Sequence, residues 1–286
     1  MKAKTMTACL LLAATVPLRS ALADETPFHM VQGAIDAALV VTDAPASRAW
    51  YQALLHVPPV SATPSKTSDG GLMYRYKHGG ALIKLVEHSP IPPNYEGEPN
   101  SAVGFRWLRI PMVEPPDAPD TLAALGGRDH VAGPDSNSEW ALIDPDGNRV
   151  YVSSGNDPGY DLEVGLVVSS LDSASRFYGQ TLGLKDGGIV GTEHLFWAGR
   201  SRLVLRQAPS SGAARRTGVR KEVAGIRFVT FPIEDVLTLA TTLAERGVKP
   251  VWGPAPPRPD SLATLLFVED PDGNWVEFYS MRKPPQ

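Results

Sequence analysis

Carboxylates that stand at matching positions of the chain are its best candidates for chemistry. Asp36 opens the run Asp-Ala-Ala-Leu-Val-Val-Thr, and Glu163 opens the similar run Glu-Val-Gly-Leu-Val-Val-Ser. Glu277 follows a run Asp-Pro-Asp-Gly-Asn, and Tyr151 stands at the same place after an identical earlier run. Carboxylate oxygens bind hard cations and also accept protons as general bases. Plainer interpretations stay open, since Glu277 could be exposed and Asp36 could pair with an arginine.

His194 is the one histidine that we expect on a strand lining a site, because it begins the strand-like run 194–205. Imidazole titrates near neutral pH, so this side chain could be a catalytic proton shuttle or an additional metal ligand. A purely structural role for His194 is the alternative.

The N-terminal segment has the three parts of a secretory signal peptide. Lys2 and Lys4 precede an uncharged apolar run at 6–18, and Ala21-Leu22-Ala23 supplies a small-residue cleavage site. We therefore predict a signal peptide over residues 1–23 and a periplasmic or secreted mature protein.

Composition narrows the classes of partner. Cys9 is the only cysteine and lies in the predicted signal peptide, which excludes disulfides, thiolate catalysis and cysteine-ligated zinc from the mature chain. The net charge is −4, and no long run of Lys and Arg is present, which argues against nucleic acid as a partner. No later stretch is long and apolar enough for a transmembrane helix. We expect a small-molecule substrate or ligand, no nucleic acid, no membrane, and a monomer or homodimer.

An internal repeat determines the expected architecture. Four blocks recur in one order at a nearly constant offset, and they begin at Asp36 and Glu163, Gly104 and Gly225, Val131 and Val251, and Asp144 and Asp270. Such matches are the mark of a tandem duplication.

The two copies have the same predicted elements. A short strand leads into a helix, two strand-like runs follow, and a further strand and helix precede a final hairpin. The first helix pairs Trp50 with Leu54 and places Pro45 in its first turn, whereas Gly183 ends the corresponding helix of the second copy.

This order of motifs resembles the vicinal-oxygen-chelate family of glyoxalases, bleomycin resistance proteins and extradiol dioxygenases. The resemblance rests on an acidic residue before a Val-rich strand, an aromatic-Tyr helix ending in Leu-Gly-Leu, and the closing Asp-Pro-Asp-Gly-Asn hairpin. It implies an α+β fold of tandem βαβββ modules, over residues 31–156 and 160–282, whose curved sheets enclose a shared cavity. These motifs are specific for the fold and uninformative about the reaction.

The resemblance also implies a ligand set, because the family takes metal ligands from the first and last strands of its modules. Carried over residue by residue, the predicted ligands are Asp36, Glu163, Glu277 and Tyr151. An oxygen-only set suits Mn²⁺, Mg²⁺ or a similar divalent ion, and carboxylates sharing one cavity repel each other unless a cation or protons compensate them. Glu277 is in addition the predicted catalytic base, with His194 as a second catalytic candidate.

The positions where dioxygenase-type members keep a histidine fall on Trp107 and Phe228. Neither side chain binds a metal, and both would make the cavity apolar, which favours an aromatic ligand. The leading prediction is thus an exported, divalent-metal-dependent lyase or isomerase acting on a small oxygenated molecule, aromatic ones included. A metal-free protein that sequesters a small molecule is the alternative, and an extradiol-type dioxygenase is disfavoured by Phe228.

Overall fold

Each repeat of the sequence contains two units of four strands, and in three of these four units the described residues include a helix after the first strand. The structure is a computed structural model that describes residues 26–65, 71–88, 102–112, 124, 128–132, 139–154, 159–209 and 224–281. The predicted signal peptide at 1–23 lies outside the described residues.

The strands follow one another in the same way in both repeats. Those of the first repeat are β1 (Asp36–Val41), β2 (Ser61–Pro64), β3 (Leu72–His78), β4 (Ala81–Glu87), β5 (Gly104–Met112), β6 (Arg128–Ala132), β7 (Glu139–Ile143) and β8 (Arg149–Ser154). Those of the second repeat are β9 (Leu162–Val168), β10 (Lys185–Val190), β11 (Glu193–Ala198), β12 (Ser201–Gln207), β13 (Gly225–Pro232), β14 (Pro250–Ala255), β15 (Ala263–Glu269) and β16 (Trp275–Met281).

The helices start and stop at the residues that suit their ends. They are α1 (Ala44–Leu55), α2 (Leu171–Ser175, continued by the π-helical turn Arg176–Thr181) and α3 (Val236–Glu245). The Asp43 carboxylate accepts the N–H of Ala46 at 3.0 Å and so caps α1. Gly183 adopts a positive φ of 70° after the π-helical turn, as its predicted capping role requires. Among the described residues, no helix is long and apolar enough to cross a membrane.

The strands form two eight-stranded sheets, and each sheet takes one unit from each repeat. Sheet 1 has the order β14-β15-β16-β13-β1-β4-β3-β2, and sheet 2 has the order β10-β11-β12-β9-β5-β8-β7-β6. The two units of a sheet meet along an antiparallel seam, which is β1 with β13 in sheet 1 and β5 with β9 in sheet 2. Both sheets are curled into half-barrels, which confirms the α+β fold of tandem modules.

The two faces of each sheet pack differently. The face that carries the helices joins one large core with residues from both sheets, including Trp50, Tyr178 and Leu239 of the helical segments. The opposite face, called here the inner face, carries a smaller apolar cluster of its own in each sheet. Small-molecule sites are usually concave and mostly apolar, and the inner face of a curled sheet offers such a surface.

The repeated Asp-Pro-Asp-Gly-Asn runs are structural, since each one holds a hairpin against the other unit of its own repeat. Asp144 accepts the hydroxyl of Tyr51 at 2.9 Å and the backbone N–H of Asn148 at 2.7 Å. Asp146 accepts the N–H of Thr42 at 2.8 Å, directly before α1. In the second repeat Asp270 accepts the hydroxyl of Tyr178 at 3.0 Å in the same way. Aspartate, proline and glycine therefore favour the turn. The aspartate carboxylates also bind the other unit of the same repeat.

Candidate functional site

One polar row crosses the centre of the inner face of sheet 1. Strand register puts Asp36 of β1 opposite Thr230 of β13, and Thr230 opposite Glu277 of β16. Lys84 of β4 joins them from the other side of β1, where it pairs with Ala38. We call Asp36, Lys84, Thr230 and Glu277 the lysine cluster.

The ammonium group of Lys84 is the centre of this cluster. Its Nζ lies 2.9 Å from Asp36 Oδ2, 2.8 Å from Thr230 Oγ1 and 3.7 Å from Glu277 Oε2. The Thr230 hydroxyl donates in turn to Glu277 Oε2. The Lys84 side chain is only 8% exposed, so this is a buried charge network in which each carboxylate has a positive or hydroxyl partner.

Burial controls the protonation of Glu277. Removal from water raises the pKa of the Glu277 carboxyl, and the nearby charge of Lys84 and the hydrogen bond from Thr230 offset that rise only in part. The negative charge of Asp36 adds to the rise. Glu277 is therefore a carboxyl group poised to take up a proton more readily than an exposed glutamate.

An aromatic cluster lies beside the lysine cluster on the same face. Phe228 and Phe267 are buried with ring centroids 5.5 Å apart, and Trp275 lies 5.0 Å from Phe267. Trp252 and Trp275 are half-buried and pack on the edge of this group, as does Tyr279. Trp275 Nε1 is buried and has no hydrogen-bond partner among the described residues. This face therefore combines an apolar aromatic wall, an unused N–H donor and a charged row.

The inner face of sheet 2 has the corresponding row with different residues. Register puts Glu163 of β9 opposite Arg109 of β5, and Arg109 opposite Tyr151 of β8, which is the counterpart of Asp36, Thr230 and Glu277. Arg109 Nη1 lies 2.8 Å from Glu163 Oε1, and Arg202 of β12 pairs with the other oxygen of Glu163. Two guanidinium groups thus contact the buried Glu163 carboxylate, and Arg109 also pairs with Glu139 through its Nε at 2.5 Å.

Aromatic rings enclose the arginines of sheet 2. The guanidinium of Arg202 lies 3.8 Å above the ring of Tyr160, and that of Arg109 lies 5.2 Å from the ring of Tyr151. Trp107 fills the remaining space, because an ideal Cβ on Gly165 would lie 1.7 Å from its indole ring. Sheet 1 has the smaller Phe228 opposite Ala38 at this place. On the inner face of sheet 2 the space above Gly165 is therefore taken by the Trp107 indole.

The predicted site residues fall into two groups rather than one. Asp36 and Glu277 meet in sheet 1, whereas Glu163 and Tyr151 lie in sheet 2, so the expected convergence of all four does not occur. The error has a topological cause, since a repeat gives its two units to different sheets. The predicted equivalence of Asp36 with Glu163, and of Glu277 with Tyr151, is confirmed by the register.

His194 does not belong to either row. Its neighbour Phe196 faces the main core, and its imidazole binds Ser175 Oγ at 2.8 Å and Asp186 Oδ1 at 2.9 Å. These contacts tie β11 to α2 and to β10, as a structural role would require.

The residues present do not fit a divalent metal ion. At Asp36 and Glu277 the Lys84 ammonium already compensates one of the two negative charges, and at Glu163 two guanidinium groups are in contact with the carboxylate. A divalent cation placed there would be repelled by these positive groups at close range. Among the described residues, no three His, Cys, Asp or Glu side chains gather into a metal-binding group.

The sequence did not lead us to predict the four residues that pair with the carboxylates of the two rows. Lys84, Thr230, Arg109 and Arg202 carry no recognisable motif. One signal was visible, because Lys84 interrupts the otherwise apolar strand Ala-Leu-Ile-Lys-Leu-Val, and a lysine is rarely buried unless it is paired. Its partner could not be named from sequence, since Asp36 and Glu277 reach it only across strands.

Comparisons with known proteins agree with this fold. Glyoxalase I from Zea mays is 19% identical, with a TM-score of 0.61, over 86% of this chain and 91% of that one. A Bacillus subtilis protein described as a candidate dioxygenase is 11% identical, with a TM-score of 0.63, over 87% of this chain and 84% of that one. At these identities the likeness concerns the fold alone. A comparison with curated proteins gives no match.

A family profile matches the second half of the sequence. The profile of the Glyoxalase/Bleomycin resistance protein/Dioxygenase superfamily matches residues 162–278, the second repeat, and the structural likeness extends over both repeats. The second repeat is therefore similar to the glyoxalase, bleomycin resistance protein and dioxygenase superfamily, and the first repeat has the same order of strands.

Proposed function

We propose that the chain binds a small molecule with a planar aromatic body on the inner face of sheet 1, without a divalent metal ion. The observation that carries this proposal is the aromatic cluster beside the lysine cluster on the inner face of sheet 1, in which Trp252, Trp275 and Tyr279 are only partly buried. Aromatic walls with a few well-placed polar groups are the usual construction of a small-molecule site.

The polar groups indicate how such a ligand would be oriented. Its aromatic body would lie against the partly exposed rings of Trp252, Trp275 and Tyr279. An oxygen-bearing end would lie toward Lys84 and Arg75, whose positive charges both act on Glu277. A planar molecule with one oxygen-containing group therefore fits this face better than a compact, highly charged one.

Calorimetric titration tests the proposal, with 1-naphthoate as the planar probe and cyclohexanecarboxylate as the non-planar control. We expect saturable binding of 1-naphthoate and much weaker binding of the control. Trp275→Ala should weaken the binding of 1-naphthoate about tenfold, which corresponds to 1.4 kcal/mol. The matched control is Trp197→Ala, which removes a half-buried tryptophan near Arg202 in sheet 2 and should leave Kd unchanged. Equal weakening by both variants would contradict the assignment to sheet 1.

A second candidate function places chemistry at the same site. The leading prediction was a lyase or isomerase, and the burial that raises the pKa of Glu277 favours a general base there. Glu277 would take a proton from a carbon next to a ligand carbonyl, and the positive charge of Lys84 would stabilise the enolate oxygen. The metal-dependent form of that prediction is not supported by the residues present.

Deuterium exchange distinguishes binding from catalysis. With phenylpyruvate as the probe, an enzyme should accelerate exchange of the C3 protons into D2O about a hundredfold or more over Glu277→Gln, the usual size of a general-base contribution. Equal exchange rates in both proteins would leave binding as the function. The same titration should first show that Glu277→Gln still binds the probe.

Export remains part of the proposal. It rests on the lysines, apolar run and cleavage site of residues 1–23. Mass spectrometry of the protein purified from its native host should find Asp24 or a close neighbour as the first residue. An intact Met1 in cytoplasmic protein would refute it.

A further inference from the structure

We infer that the Lys84 ammonium is the permanent counter-ion of Asp36 and Glu277 and takes the place of a divalent cation. The protein would then need no divalent metal ion for its stability or for ligand binding. The inference concerns cation binding and stability. It therefore stands or falls separately from the proposed ligand.

Distances and charge carry the first step. A divalent ion held by carboxylates lies about 2.0 to 2.6 Å from their oxygens. The Lys84 Nζ already lies 2.9 Å from Asp36 Oδ2 and 3.7 Å from Glu277 Oε2, which is the space that such an ion would need. The ion would also meet a positive charge at that separation.

The fold holds the lysine in place, which is the second step. Lys84 lies on β4, opposite Ala38 and on the same face as Asp36. Its ammonium group is the hydrogen-bond donor to Thr230 on β13, across the seam of the sheet. Moving the ammonium away would leave buried Asp36 and Glu277 without their counter-charge, and this is costly.

Sheet 2 supplies an independent third step. At the corresponding place on β12, opposite Gly165, stands Val204, which has no charge. The cations come instead from Arg109 and Arg202, and both pair with Glu163. Both inner faces therefore neutralise their carboxylates internally, by different residues on different strands.

Metal titration of the full-length protein tests the inference, with Mn²⁺ as the probe and EDTA as the stripping agent. For the wild type we expect the same Tm in Mn²⁺, in Mg²⁺ and in EDTA. Lys84→Met keeps most of the length of the side chain and removes its charge. We expect it to have a lower Tm in EDTA, to regain stability in Mn²⁺, and to bind Mn²⁺ more than about tenfold more tightly than the wild type.

Two further variants make the result decisive. Lys77→Met removes an exposed lysine from the neighbouring strand β3 and should change neither Tm nor Mn²⁺ affinity. Lys84→Met combined with Glu277→Gln leaves a single carboxylate, so it should be more stable in EDTA than Lys84→Met alone and should lose the Mn²⁺ response. The double variant also covers the case in which Lys84→Met fails to fold.

Two outcomes would overturn the inference. One is a wild type whose Tm rises in Mn²⁺ or falls in EDTA, with Lys84→Met behaving in the same way. The other is a folded Lys84→Met that gains no affinity for Mn²⁺, since the carboxylates would then be satisfied without any cation.

Discussion

The Thr230 hydroxyl links the positive and negative members of the lysine cluster. It accepts from Lys84 Nζ at 2.8 Å and donates to Glu277 Oε2, so one oxygen both solvates the ammonium and holds the carboxylate. Because Thr230 is only 1% exposed, water cannot replace either bond without a change in packing. This small side chain therefore orders the row at its centre.

Replacing Thr230 by valine tests that role at the residue scale. Valine keeps the shape and removes the hydroxyl, so Lys84 and Glu277 each lose a partner, and the free energy of unfolding should fall by about 1 to 3 kcal/mol. Urea denaturation measures the change. Thr264→Val alters another buried threonine, on β15 outside the cluster, and should cost less. An equal loss of free energy of unfolding in the two variants would show that the loss comes from burial of the threonine and not from its contacts in the lysine cluster.

Gly165 shows how one missing side chain shapes an inner face. The Trp107 indole occupies the place that a Cβ at Gly165 would need, 1.7 Å from Cε2. Gly165→Ala should therefore displace Trp107 and lower the free energy of unfolding by about 1 to 3 kcal/mol, the usual cost of overpacking. Combining it with Trp107→Phe should recover part of the loss in urea denaturation. If the single and double variants are equally unstable, the contact is not the cause.

At the scale of elements, the two Asp-Pro-Asp-Gly-Asn hairpins act as latches between units. The first Asp of each run accepts a tyrosine hydroxyl, from Tyr51 on α1 or from Tyr178 in the π-helical turn. Both tyrosines are fully buried, so their hydroxyls have to be paired inside the protein.

Phenylalanine substitutions test the latches. Tyr51→Phe and Tyr178→Phe should each lower the free energy of unfolding by about 1 to 3 kcal/mol, because each leaves a buried carboxyl with one donor fewer. The two sites lie in different hairpins with no shared partner, so the double variant should show additive losses in urea denaturation. A double loss well below the sum would indicate that the latches act as a single unit.

The first latch should also make stability depend on pH. Burial, and then the charge of Asp146, raise the pKa of Asp144 to about 7, and donors on Asn148 and Tyr51 offset this only in part. The pKa in the unfolded chain is about 3.9, so between these values the folded state keeps a proton that the unfolded state has lost. The contribution of Asp144 to stability is thus complete below about pH 4 and lost as the pH rises through about 7.

Urea denaturation across that pH window measures the effect. The loss of stability with rising pH should be smaller in Asp144→Asn, which cannot titrate. Asp43→Asn is the control, because Asp43 is an exposed residue that caps α1. Asparagine caps helices about as well as aspartate does. An identical pH slope in the wild type and Asp144→Asn would refute the prediction.

At the scale of the whole molecule, the two repeats complete each other. Sheet 1 needs β13 from the second repeat beside β1 from the first, and sheet 2 needs β9 beside β5. Either repeat alone would expose two central strands as open edges, and such edges pair with whatever strand is available.

Dividing the chain between the repeats tests this interdependence. We expect a fragment of residues 26–156 to aggregate or to form a dimer in which β1 of one copy pairs with β5 of the other. Mixed with a fragment of residues 157–286, it should assemble into a one-to-one complex with the circular dichroism of the intact protein. Size-exclusion chromatography with light scattering gives the masses. A stable, folded monomer of either fragment would contradict the arrangement.

The sequence alone determined the elements and their repetition. Alternation, capping residues and turn chemistry are local properties, so the helices after Asp43 and Asp235 and the two latch hairpins could be predicted from neighbouring residues. The internal repeat identified Asp36 as the equivalent of Glu163, and Tyr151 as the equivalent of Glu277. These equivalences needed only the offset between the copies.

Only the tertiary structure decided which of these residues meet. The seams of the sheets join units that are distant in sequence, so Asp36 faces Thr230 and Glu277 and never reaches Glu163. The charge that Lys84 brings to Asp36 likewise depends on the pairing of β4 with β1. Strand register across a seam is a long-range property that no local pattern encodes. For this reason the sequence predicted a metal site where the structure has the lysine cluster.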